Sequence, residues 1–265
     1  MNVGGVPANL WDSFDLSTWN EAAAGNTISL GPTLYGAPGT ASTYPTLDTA
    51  PFSITSSHNL KNMRKIAAFT PNGKFYFMGS SGNLDESDLW IFESDTTAVK
   101  PVAGGSGPVN YVASDHGGVA LGAYLTDVYG MQSNADGDLL IFDGWRLRKV
   151  TVTTEAATPK IYDEVNFLSF ANRPNVDRWT HAVYDAATGW SYFAVTKDVA
   201  TDRRAQVWAA RQDQGFVEIP TTGLVLSSDH STARKLNLAI TPLGLLLLDA
   251  EKKRVLATPL KPLTP

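Results

Sequence analysis

Three of the four histidines stand in near copies of one phrase. Ser56-Ser57-His58, Ser114-Asp115-His116 and Ser228-Asp229-His230 each follow an apolar run. An imidazole beside carboxylates and hydroxyls can hold an anion or a metal, or respond to protons near neutrality. The spacing is regular: His58 to His116 is 58 residues, and His116 to His230 is 114, or two intervals of 57. The copy missing near position 173 is "FLSFANRPN", where Arg173 takes the place of the histidine. If each apolar run is an innermost strand around an axis, then His58, His116, Arg173 and His230 form a ring at one rim. The alternative is a repeated structural hydrogen bond, with Asp115 and Asp229 orienting the imidazoles or the serines capping a turn. Repetition suits a stacking device, because a catalytic group usually occurs once.

Other residues that could do chemistry are scattered. "SNADGDL" offers Asn134, Asp136 and Asp138 to a hard cation, yet it lacks the remaining ligands of a calcium loop. Asp-Gly is also a hairpin turn signature. Asp115, Asp185, Asp229 and Glu218 are candidates for the carboxylate pair of a glycoside hydrolase, with nothing to single out an acid and a base. Tyr124, Tyr129, Trp179 and Trp190 could stack on sugar rings. Arg64, Lys65, Arg178, Arg234 and Lys235 follow the repeated phrase and would give either a positive rim or a solvated one, a pattern that Asp127 interrupts. Walker, dinucleotide, GxSxG and HExxH motifs do not occur. No cofactor is expected.

The elements that must position these groups also repeat. "AAFTPNGKFYFMG", "YGMQSNADGDLLIF", "HAVYDAATGWSYFAV" and "LAITPLGLLLLDA" each read as strand, turn closing on glycine, and a very apolar strand. The apolar run after Gly73, Gly137, Gly189 or Gly244 does not alternate, which predicts a strand buried on both faces. A third landmark, in which an apolar strand passes through a short polar turn into an outer strand, is read in "LWIFESDTTAVKPV", "LIFDGWRLRKVTV", "QVWAARQDQGFVEI" and "LLLLDAEKKRVLATPL". Trp90, Trp145 and Trp208 recur at comparable distances in the first three copies. Four short antiparallel strands per repeat, each sheet covered on both faces by its neighbours, predict an all-β chain, a β-propeller of four-stranded antiparallel blades. A pair of β-sandwiches or a barrel would explain the strands but not the period.

The repeats occupy residues 52–265. Residues 1–51 read as an N-terminal arm or as a degenerate fifth blade. Within "NLWDSFDLSTWNEAAAG", Trp11, Phe14, Leu16 and Trp19 crowd large apolar groups into nine positions. They either cover the protein's own open face or anchor it in a larger assembly, where tryptophan is favoured. The segment suits a short amphipathic helix or an extended strand.

A formal charge of -5 and a pI near 5.3 argue against a nucleic-acid partner. With no cysteine, thiolate chemistry and disulfides are excluded. The N-terminus does not read as a secretory signal, and "GLLLL" is too short to insert in a membrane.

With its blade phrases "FTPNGKFYF" and "DAATGWSYF", its missing cysteines and its aromatic arm, the chain resembles β-propeller structural proteins of tailed-phage virions. That resemblance implies a non-enzymatic accessory of the tail or capsid, assembled in the host cytoplasm, carried in multiple copies and contacting other virion structural proteins. A host-surface glycan would be a further partner. The alternatives are a carbohydrate-binding propeller or a glycoside hydrolase.

Overall fold

The computed structural model describes residues 12–15, 52–53, 67–71, 73–80, 89–94, 98–105, 116–176, 178–199, 202–220, 236–242, 244–249, 254–258 and 260. Among them the structure is antiparallel β, with one 3-10 turn at Phe167–Ser169 and no α-helix. The strands gather into four sheets.

The first described strand is β1 (Asp12–Asp15), whose partner β18 is the last described strand. The first sheet holds β2 (Phe52–Ser53), β3 (Ala67–Phe69), β4 (Phe75–Ser80), β5 (Leu89–Ser94) and β6 (Ala98–Gly104). Its spatial order is β2-β6-β5-β4-β3. The second contains β7 (Gly118–Val119), β8 (Val128–Ser133), β9 (Leu139–Asp143), β10 (Arg146–Val150) and β11 (Lys160–Asn166), ordered β7-β11-β10-β9-β8. The third is a plain meander of β12 (Arg178–Asp185), β13 (Trp190–Val199), β14 (Asp202–Arg211) and β15 (Gly215–Ile219). The fourth has β16 (Leu236–Thr241), β17 (Gly244–Asp249) and β18 (Arg254–Thr258), and β1 completes it against β18.

The repeated hairpins fall where the sequence puts them, between the first and second meander strands. Gly73, Gly137, Gly189 and Gly244 have φ of 81°, 83°, 74° and 126°, conformations that side chains resist. Repeats one and two share even the turn bonds. The Gly73 and Gly137 amides donate to Thr70 and Asn134 carbonyls at 2.9 and 3.1 Å.

The second strands are buried as expected. Tyr76, Phe77 and Met78 in β4, all of β9, and Trp190 to Thr196 in β13 are buried on both faces. In β17, Leu245 and Leu247 are fully buried, whereas Leu246 and Leu248 are only partly so.

One expectation needs correction. The third landmark joins unlike elements: it covers third and fourth strands in repeats one and three, but second and third strands in repeats two and four. Trp90 and Trp208 accordingly lie in the third strands β5 and β14, while Trp145 lies in the turn between β9 and β10. Of the two forms the N-terminal segment suits, Asp12–Asp15 takes the extended one, with Phe14 opposite Val255. The "GNTISLGPTLYGAPG" stretch lies outside the described residues.

The described residues divide into two compact units, one running from β2 to β11 and one from the 3-10 turn to β18 with β1. In the former, Tyr76, Met78 and Ile91 from the first sheet share a core with Leu139, Ile141 and Val150 from the second. The first strands β3 and β8 are neighbours there. In the latter, Tyr192, Ala194 and Val207 of the third sheet meet Leu238, Leu245 and Leu256 of the fourth, with β12 beside β16.

Candidate functional site

The repeated basic phrase is best seen at His116. His116 is exposed in the turn that enters β7, and β7 pairs with β11, the sheet edge opposite β8. Its Nδ1 accepts the Asp163 N–H at 3.1 Å, and its ring meets Tyr162 edge-on at 5.6 Å. Gly117 donates to Ile161 and Ala120 to Pro159, at 2.7 and 2.8 Å. This is a crossover: from His116 the chain lies along β11, at one edge of its sheet, before running on to β8 at the other edge. The imidazole bond here is structural.

From β7 the chain runs through residues 120–127 to β8, and a buried ion cluster holds that segment. Arg148 stands opposite Ile141 in β9, so it shares the face that carries Leu139, Ile141 and Val150. It is 1% exposed. A guanidinium there needs every donor directed. Its Nη1 donates to Asp143 Oδ2 at 3.0 Å and to the Tyr124 carbonyl at 3.1 Å, and its Nε donates to Asp163 Oδ1 at 3.0 Å. Asp143 Oδ1 accepts the Thr126 amide and hydroxyl, both at 2.7 Å, and the Asp127 amide at 3.0 Å. Arg146 closes on Asp163 Oδ2 at 3.2 Å. Three strands and the crossover thus meet on one cation. Nearby, the Tyr129 hydroxyl donates to the Gly144 carbonyl at 2.6 Å, and burial pushes its pKa well up.

The corresponding crossover in the third repeat uses aromatic packing. Phe167 and Phe170 leave the 3-10 turn and pack on Phe193 and Phe216, with Phe167 to Phe193 centroids at 5.2 Å and Phe193 to Phe216 at 5.6 Å. Trp179 meets Phe193 at 5.1 Å. The Phe216 amide donates to the Ala171 carbonyl at 2.9 Å, so the segment lies against the edge of β15. A Cβ at Gly215 would come within 2.7 Å of that carbonyl, and its φ of 70° also favours glycine. Asn172 has φ 55°, the left-handed conformation asparagine tolerates best among residues with a side chain. Arg173 follows it, exposed. Like His116, it lies in a crossover, between the 3-10 turn and β12.

His58 and His230 lie outside the described residues, as do Trp11, Leu16, Trp19, Asp115, Asp229, Arg64, Lys65, Arg234 and Lys235. Of the four basic residues expected to form a ring, His116 and Arg173 are described, each exposed and each in a different compact unit.

The Asn134, Asp136 and Asp138 set is a turn. Asp138 accepts the amides of Thr153 and Thr154 at 2.8 and 3.0 Å and the Thr154 hydroxyl at 2.6 Å, while its own amide donates to Asn134 Oδ1. Three hydrogen-bond donors face this buried carboxylate. Asp185 caps its hairpin through the Ala187 amide and the Thr188 hydroxyl, and Glu218 accepts from Gln206. Trp190 and Tyr129 are 2% and 3% exposed, which removes them as sugar-stacking platforms. Among the described residues no group of acids, histidines and cysteines is arranged to hold a metal ion, and no helix is long and apolar enough to cross a membrane.

The residue that sequence reasoning missed is His181, the histidine outside the repeated phrase. It lies in β12 beside a bulge at Thr180, and its Nδ1 accepts the Leu238 amide of β16 at 3.1 Å. Burial pushes its pKa down to about 4. The only sequence signal was its position in the strand preceding a repeat glycine.

No family model matches the chain, and no curated protein matches it.

Proposed function

We propose that the chain is a four-bladed β-propeller working without catalysis, as a structural and assembly protein of a tailed-phage virion. On this reading it is an accessory of the tail or capsid that contacts other virion proteins. The observation that carries the reading is the pairing of β1 with β18. In a ring of sheets, a last sheet completed by the chain's first strand resists opening, because the ring cannot part without breaking that ladder. Rigid rings with protected edges suit permanent assemblies.

The polar clusters support the same reading. Asp138, Asp143 and Arg148 have their hydrogen-bonding directed into the fold by two or more partners each. They act as struts, holding loops where an assembly surface would need fixed shape.

The test is particle composition. Peptides of this chain should appear at a fixed ratio to the major shell protein in phage particles banded on a density gradient. Their absence from washed particles, with the protein abundant in the same lysate, would overturn the virion role. The ring is tested separately by cysteines at Asp12 and Ala257, register partners in an otherwise cysteine-free chain. Oxidation should trap a circular species that migrates faster than the reduced chain.

A further inference from the structure

We propose that His181 is an acid-released joint between the third and fourth sheets: protonating Nδ1 removes the acceptor of the Leu238 amide and frees β12 from β16. The joint is built by local strand geometry. Trp179 pairs with Val195 and His181 with Ala194, so Thr180 is an extra residue in β12, anchored by its hydroxyl on the Ala194 carbonyl at 2.7 Å. Such a bulge re-aims the following side chain. Here the imidazole reaches across to the first strand of the next sheet, where the Leu238 amide donates to it.

A neutral ring with Nδ1 as acceptor carries its proton on Nε2. Adding a second proton turns Nδ1 into a donor facing a donor. The charge would also stand against Ala194 and Leu238, both members of the core between the two sheets. Among the described residues no countercharge is found to act on it. β16 reads "LNLAIT" and has no ionisable residue. On β13 the residue opposite His181 is Ala194, and Lys197 and Asp198 lie three and four positions further on. On β12, Arg178 and Asp185 are three and four positions away. Desolvation alone lowers the pKa, from the ordinary 6.5 to about 4.

The sign follows from linkage. The unfolded chain takes up the proton first, so the joint's contribution is complete above about pH 6.5 and is lost as pH falls through 4. A displacement of that size corresponds to a loss of about 300-fold in the folding constant. Acid therefore weakens this seam, while at neutral pH it holds.

The experiment is an NMR titration of the full chain from pH 7 to 3, with urea denaturation at both ends, on the wild type and on His181→Gln. Glutamine keeps an acceptor but does not titrate. The His181 ring and the Leu238 amide should shift together with a midpoint near pH 4. The wild type should lose about 300-fold more of its folding constant than the variant over that range. Equal losses in the two proteins would overturn the proposal. If the variant does not fold, the wild type decides alone: a ring titrating near 6.5, or a Leu238 amide unmoved while the ring titrates, overturns it.

Discussion

The second and third repeats pin an incoming crossover by opposite means. In the second, Arg148 and Asp143 grip residues 124–127 through charge-assisted hydrogen bonds. In the third, Phe167 and Phe170 fasten the segment by burial against Phe193 and Phe216, with one backbone bond from Phe216 to Ala171. Equivalent places in a repeat fold thus need the same restraint but not the same residues. A polar clasp is directional and intolerant of a missing member, whereas an aromatic one is additive and forgiving of shape.

Removing the centre of each clasp gives the sharpest contrast. Arg148→Ala leaves Asp143 and Asp163 without their buried cation and should cost about 4 kcal/mol in urea denaturation at pH 7. Replacing Arg148 and Asp143 together by apolar residues of similar volume should recover most of that loss, because no unpaired charge remains. Phe193→Ala should cost about 3 kcal/mol, as a cavity in a packed aromatic group does. Its effect should be insensitive to pH between 5 and 8. A rescue of the same kind, by a second substitution in the aromatic set, would erase the distinction between the clasps.

Smaller changes probe the backbone of the third crossover. Gly215→Ala combines a left-handed φ with a Cβ placed 2.7 Å from the Ala171 carbonyl, and should cost about 2 kcal/mol in the same assay. Asn172→Ala should cost about 1 kcal/mol, and Asn172→Gly should not. If both substitutions at Asn172 cost the same, its side chain rather than its φ holds the turn.

Much of the fold was legible because its signals are local. A glycine with positive φ between a short strand and a very apolar one needs only a few residues to be read, and it fell at the same hairpin in every repeat. The third landmark misled because both later hairpins of a sheet share one pattern, apolar strand, polar turn, apolar strand. The pairing of β1 with β18 was illegible: "DSFD" has no strand pattern of its own, and its partner lies at the other end of the chain.

The site was harder still. Arg148 sits among "RLRKV", where basic residues read as a solvated strand, and its partner Asp163 is supplied by the next strand. His181 stood outside the repeated phrase and drew no notice, although it bridges two sheets. In the copy of the phrase that is described, His116 lies where the chain crosses from one edge of its sheet to the other.

The most direct measurement is amide hydrogen exchange at Thr126, Asp127 and Phe216 in the wild type and in two mild variants, Arg148→Lys and Phe170→Leu. If each crossover has its own clasp, Arg148→Lys will deprotect Thr126 and Asp127 while Phe216 stays protected, and Phe170→Leu will do the reverse. Deprotection of all three amides in both variants, or of none in either, would contradict the account.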